Sequence, residues 1–246
     1  MKVLLTRPKG SNELMLRALN DKSIEAIETP LMEIKPVLPC QSVVLQLPQA
    51  DKIIFISQHA VHQFRSLFNV LPDRCQIFAV GQRTRQALQK MDIRSVSVAT
   101  QSQDSEGLLM LEQLKSVEGE AIIIVRGQGG REKLASALTE RGADIHYCEV
   151  YQRVLPKLHN SDISKYWQQQ GVDTILITSG EMLLNLLKLV ESKQQAWIKR
   201  CNILVPSDRV LKIALNEGFT RVFNAEGASQ SAMLSTIDNI IDTLKE

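Results

Sequence analysis

The sequence predicts an α/β protein of two similar domains, each a parallel sheet flanked by helices, with the first domain assembled from both ends of the chain. Three observations lead there: a repeat between the two halves, short apolar runs alternating with amphipathic stretches, and two extended connectors of matching sequence that both close on Leu-Pro.

The repeat pairs Arg7 with Arg126, Gly10 with Gly129, Glu13 with Glu132, Ala18 with Ala137 and Leu19 with Leu138. Val37-Leu38-Pro39 pairs with Val154-Leu155-Pro156, and the run from Asp51 to Ser57 pairs with the run from Asp173 to Ser179. Arg83, Val96 and Ala99 meet Arg209, Val222 and Ala225. One ancestral half used twice accounts for these matches.

Taken in order, residues 3–6 are an apolar run that predicts a strand, followed by a turn at Arg7-Pro8-Lys9-Gly10. Ser11 or Asn12 then caps a helix that turns Leu14, Leu16 and Leu19 inward. Residues 24–27 predict a strand, and from Glu28 to Pro39 three prolines forbid helix and predict an extended connector. Residues 42–47 predict a short helix, 53–56 a strand, 58–68 a helix, 77–80 a strand, 82–91 a helix and 95–98 a strand. A polar loop over 100–105 precedes a helix at 106–114. The second copy reads strand 121–125, helix 131–141, strand 144–148 and a second extended connector, 149–156. Helices at 163–169, 181–190, 207–216 and 229–243 alternate with strands at 174–178, 202–205 and 221–223. Strand–helix alternation means parallel pairing with right-handed crossovers.

Strand counting decides the domain cut. The two strands before the first connector cannot bury a core alone, whereas the middle segment holds five strands and the two ends together hold five more. The expectation is domain one at 1–35 plus 157–246 and domain two at 39–150, both flavodoxin-like, with 34–40 and 149–157 as paired linker strands.

A chain of 246 residues with 44% hydrophobic composition can bury two such cores. Its 29 basic and 27 acidic residues give a net charge of +2 with no basic stripe, which argues against a nucleic-acid partner. No run reaches the length of a membrane span and the start lacks a signal sequence, so the expected location is the cytoplasm. Cys40, Cys75, Cys148 and Cys201 share no metal-ligand spacing and are expected as free thiols. His59 and His62 lack a third ligand nearby and read as helix surface, so no metal site is expected.

In parallel sheets ligands bind beyond the carboxyl ends of the strands, where helix N-termini present free amides. Those ends here carry Arg7, Ser57, Gln58, Gly81, Thr84, Arg126, Gly127, Gly129, Ser179, Gly180 and Ser207. Small hydroxylated residues and glycines leave amides open, which suits a ligand rich in carboxylates or phosphates. The serines are equally good as simple N-caps, and Arg7 and Arg126 as solvated turn residues. Arg126-Gly-Gln-Gly-Gly lacks the third glycine of the dinucleotide fingerprint, which disfavours NAD. Tyr151, one of three tyrosines, lies in a connector, where it either serves chemistry or pins the linker.

In this order and spacing, LLTRP (4–8), FISQHAV (55–61), FAVGQRT (78–84), VRGQGGRE (125–132), CEVYQR (148–153) and ITSGEML (177–183) resemble the uroporphyrinogen-III synthase family over essentially the whole chain. The resemblance implies a cofactor-free lyase acting on hydroxymethylbilane, a linear tetrapyrrole octacarboxylate. Loss of its terminal hydroxyl as water gives an azafulvene, and a spiro intermediate then inverts the last ring before closure. It also implies that Tyr151 assists departure of the hydroxyl, that Thr84 is the cleft threonine, and that Ser57 and Ser179 are the strand-end serines. On that basis Tyr151→Phe is expected to lower turnover far more than Ser57→Ala. Ser207-Asp208-Arg209 departs from the family's threonines, leaving backbone contacts there. A monomer is expected, with transient contact to the preceding pathway enzyme. A non-catalytic two-lobe binding or sensor module for an anionic metabolite is the alternative.

Overall fold

The computed structural model describes residues 1–243 apart from 69–70, 73, 100–101, 103, 131 and 158–161. The expected helix start at Arg131 and part of the polar loop over 100–105 therefore lie outside the described residues. The chain divides into two compact units, residues 1–33 with 154–246, and residues 34–153.

In the first unit, β1 (Lys2–Leu5) leads through α1 (Glu13–Asp21) to β2 (Glu25–Glu28). The chain then forms the second unit: β3 (Glu33–Pro36), α2 (Gln41–Gln46), β4 (Lys52–Phe55), α3 (Gln58–Leu67), β5 (Gln76–Ala79), α4 (Gln82–Gln89), β6 (Val96–Val98), α5 (Ser105–Leu109), β7 (Ala121–Gly127), α6 (Lys133–Glu140) and β8 (Asp144–Val154). It returns through α7 (Ile163–Gln169), β9 (Thr174–Leu176), α8 (Gly180–Leu189), α9 (Gln195–Ile198), β10 (Asn202–Val205), α10 (Asp208–Asn216), β11 (Arg221–Asn224) and α11 (Gln230–Thr243). The first unit's sheet runs β11-β10-β9-β1-β2, and each neighbouring pair is parallel. The second unit's sheet runs β3-β8-β7-β4-β5-β6, parallel from β8 to β6.

The central strands of the second unit, β4, β5 and β7, each carry a continuous apolar run because both faces are covered. Ile53 and Phe55 of β4, Ile77 and Ala79 of β5, and Ile123 and Val125 of β7 pack with Val61 and Phe64 of α3 and Leu88 of α4. The alternate residues Ile54, Phe78, Ile122 and Ile124 face Leu108 of α5 and Leu134 and Leu138 of α6. Each fully buried aliphatic or aromatic side chain contributes about 1.5–3 kcal/mol. The first unit repeats the scheme: Val3, Leu5, Leu176 and Leu204 meet α1 through Met15 and Leu19, and α11 through Met233, Ile237 and Ile240. Leu14, expected to face inward, is exposed, because the i, i+4 pair Met15 and Leu19 takes the buried face of α1.

Both connectors hold more structure than their prolines suggested. Thr29 and Leu31 are buried in the first unit, where Thr29 Oγ1 accepts from Trp167 Nε1 at 2.9 Å and the Leu31 carbonyl accepts from Asn185 Nδ2 at 2.9 Å. The second connector is no separate segment but the C-terminal half of β8, beside β3 at the sheet's edge, with Val37 N–H donating to Val150 O at 3.0 Å. The expected helix over 106–114 breaks after Leu109 and resumes as a 3₁₀ turn at Glu112–Leu114. α9 was not foreseen, because four residues, Gln-Ala-Trp-Ile, are too short a run to show a helical period.

Candidate active site

A β-bulge organises the site. The register of β7 on β8 runs Arg126↔Glu149 and then Gly127↔Tyr151, so Val150 and Tyr151 together oppose one residue of β7. Strict alternation would put Tyr151 on the face opposite Cys148 and Val150. The extra residue re-aims it, and all three side chains join one core cluster beneath α3. Gly127 makes room for the ring: a Cβ there would fall 2.3 Å from Cε2 and 2.5 Å from Cζ of Tyr151. The Tyr151 carbonyl accepts from Gln128 N–H at 2.7 Å, fixing the backbone beyond the bulge.

Tyr151 is 0% exposed, and its phenol oxygen sits 3.1 Å from Ser57 Oγ. Ser57 caps α3, its Oγ accepting from Ala60 N–H at 3.1 Å. Arg153, two residues further along β8 and so on the same side of the strand, donates from a guanidinium nitrogen to Tyr151 Oη at 3.4 Å and stands 5.6 Å from the ring centroid. His59 meets the ring edge-on at 6.2 Å. Burial, and then the neighbouring His62 and Arg153, lower the His59 pKa below that of an ordinary imidazole.

Beside this group the loop after β7 folds over Arg126. Arg126 is 4% exposed, donates from Nε to Gly127 O at 3.2 Å and from a terminal nitrogen to Gly129 O, and lies over the Tyr147 ring at 4.6 Å. Gly129 (φ +68°) and Gly130 (φ +104°) take left-handed conformations that favour glycine. Among the described residues no carboxylate pairs with Arg126. Arg126 and Arg153 both line a cavity of about 290 Å³ with Ile56, Val80, Gly129 and Tyr147. A buried guanidinium whose partners are carbonyls and a ring face keeps its charge for an anion.

The structure brings together Ser57, Gly127 and Tyr151, and separately Arg126 and Gly129. Gln58 is exposed at the start of α3; Gly81 caps α4, and Thr84 is buried in its first turn at 5% exposure. No hydrogen bond among the described residues joins Gly81 or Thr84 to the tyrosine. In the first unit Ser179 caps α8 by accepting from Met182 N–H at 3.2 Å, and Gly180 lies against Ile213 and Arg209. Ser207 is the N-cap of α10 without a side-chain cap bond, and Arg7 donates to the Ala228 carbonyl. Asp208 is engaged by Asn224 Nδ2 at 2.8 Å. Sequence reasoning missed Arg153 and assigned His59 to helix surface. The i, i+2 spacing of Tyr151 and Arg153 was the available signal for the former. No group of three or more His, Cys, Asp or Glu among the described residues is placed to hold a metal ion.

Fold and site define a class: a two-unit parallel α/β protein whose strand ends carry hydroxyls, amides and guanidinium groups, with a buried tyrosine at those of the second unit. The family model for uroporphyrinogen-III synthase HemD matches residues 13–235. The chain belongs to the uroporphyrinogen-III synthase family. It is 32% identical over 248 residues to the uroporphyrinogen-III synthase of Escherichia coli K12, covering 96% of this chain and 100% of that one. The solved uroporphyrinogen-III synthetase of Helicobacter pylori 26695 shares the fold at TM-score 0.62 and 16% identity, over 97% of this chain and 98% of its own. A mutant uroporphyrinogen III synthase from Thermus thermophilus does so at TM-score 0.60 and 17% identity, over 98% and 99%. Family membership sets aside the non-catalytic binding module, and no helix among the described residues is long and apolar enough to cross a membrane.

Proposed function

We propose how this chain performs the uroporphyrinogen-III synthase reaction, the closure of hydroxymethylbilane with inversion of the last ring. The strand-end donors hold substrate carboxylates, with Arg126 and Arg153 serving one subsite at their shared cavity. Gly127, Gly129, Ser179, Gly180 and Ser207 offer backbone amides and short hydroxyls, Gln58 and Arg7 polar side chains, and Gly81 with Thr84 the start of α4. Tyr151 is the source of the proton that lets the terminal hydroxyl leave as water. A phenol carries one hydrogen that it can donate as a general acid. Holding the flexible substrate curled supplies the rest, an orientation effect worth up to about 7–11 kcal/mol.

One observation carries this reading: a buried phenol, hydrogen-bonded at the strand ends, whose partner Arg153 lines a cavity together with Arg126. We also place the protein in the cytoplasm as a monomer that takes its unstable substrate from the preceding enzyme; four free cysteines suit a reducing compartment. The test is incubation with hydroxymethylbilane followed by isomer analysis. The III isomer should dominate with the native chain, and Tyr151→Phe should cut its formation by about 10²–10⁴-fold. The I isomer alone from the native chain would overturn the reading.

A further inference from the structure

The hydrogen bonds around Tyr151 fix which hydrogen is free to leave. Arg153 can only donate, so Tyr151 Oη accepts from it. Ser57 Oγ already accepts from Ala60 N–H. If the serine hydroxyl also donated to the phenol, the phenolic hydrogen would have no acceptor, since Tyr151 is 0% exposed and its oxygen meets only Ser57 and Arg153 among the described residues. Buried hydroxyls without an acceptor are disfavoured. The phenol therefore donates to Ser57 Oγ across 3.1 Å, and both serine lone pairs are taken, by Ala60 N–H and by Tyr151. The remaining hydrogen of Ser57, a partly exposed residue, is the one that points away from this network.

We infer that Ser57 is the residue that hands a proton to the departing hydroxyl, and that Tyr151, walled in by Gly127 and Val150, replenishes it from behind. This rests on the proposed role of Tyr151 as proton source. The step balances as follows. The carbon–oxygen bond of the hydroxymethyl group breaks with its electron pair going to oxygen, which takes the Ser57 hydrogen and leaves as water. The pyrrole nitrogen lone pair forms the exocyclic double bond, and the phenolic hydrogen moves to Ser57 Oγ. Phenolate and azafulvenium remain, the phenolate beside the Arg153 guanidinium. The pyrrole N–H proton then returns by the same route, to Ser57 Oγ as the serine hydrogen passes back to the phenolate, and leaves the neutral azafulvene.

The inference reverses the expectation that Ser57→Ala is mild. Because Ser57 also caps α3, three substitutions separate the roles: Ser57→Ala removes cap and hydroxyl, Ser57→Asn keeps a capping side chain but not the relay, and Ser57→Thr keeps both. Formation of the III isomer is followed in each, beside Tyr151→Phe and the Ser57→Asn/Tyr151→Phe double variant. With the relay, Ser57→Asn and Tyr151→Phe each lower kcat by about 10²–10⁴-fold with smaller changes in KM, the double variant is no worse than either, and Ser57→Thr stays within about tenfold of the native rate. Loss of activity in Tyr151→Phe with a near-native Ser57→Asn would overturn the relay while leaving Tyr151 as a direct donor. Near-native activity in both would overturn the role of Tyr151 itself.

Discussion

Replacing Gly127 by alanine perturbs the site at its tightest point. The added Cβ would lie 2.3, 2.5 and 2.8 Å from Cε2, Cζ and Cδ2 of Tyr151, whereas carbons in contact rest about 3.5–4.0 Å apart. The overlap is with a ring packed in the core cluster beneath α3, so it cannot be relieved by a flexible tip. Overpacking of this kind costs about 1–3 kcal/mol. At about 2–4 °C per kcal/mol for a chain of this size, the melting temperature should fall by about 2–12 °C. Moving the ring also breaks its 3.1 Å contact with Ser57, so kcat should fall together with stability. Circular-dichroism melts and the III-isomer assay read the two effects. Adding Tyr151→Leu removes the ring atoms that clash and should recover part of the melting temperature without recovering activity. Native melting and native turnover in Gly127→Ala would refute the placement of the ring.

His59 gives a pH-dependent outcome. Its folded-state pKa lies below the ordinary 6.5 because burial, then His62 and Arg153, disfavour the imidazolium. The unfolded chain therefore binds a proton first, so stability is full above 6.5 and falls as pH drops through the window below it. Urea unfolding between pH 7 and 5 should show a steeper loss for the native chain than for His59→Gln; equal slopes would contradict the assignment. Among the thiols, Cys40 is exposed and held below the ordinary thiol range by the Ser42 hydroxyl, while burial pushes Cys148 up to about 12. Peptide mapping after brief iodoacetamide treatment should find Cys40 modified first and Cys148 last, and comparable labelling of the two would count against the packing of β8.

The layered parallel fold was legible because strands buried on both faces must be apolar throughout. Ile53–Ile54–Phe55 and Ile122–Ile123–Ile124 could be nothing else once helices alternate with them. Ser57 and Ser179 were legible as strand-end caps for the same local reason. The orientation of Tyr151 was not. A bulge depends on the register of two strands distant in sequence, and neither Gly127 nor Val150 announces it alone. Prolines correctly ruled out helix in the connectors, but could not show that β8 continues unbroken through residue 154. The burial of Arg126 depends on the loop turning back at Gly129 and Gly130, where the motif displayed flexible residues without their direction.

The most direct measurement replaces Tyr151 alone, among the three tyrosines, with fluorotyrosines of graded acidity and follows single-turnover formation of the III isomer at a pH where each phenol is protonated. If the phenolic hydrogen moves in the dehydration step, the logarithm of the rate varies systematically with phenol acidity, as general-acid catalysis requires. A flat line at native speed across the series would show that the proton comes from elsewhere.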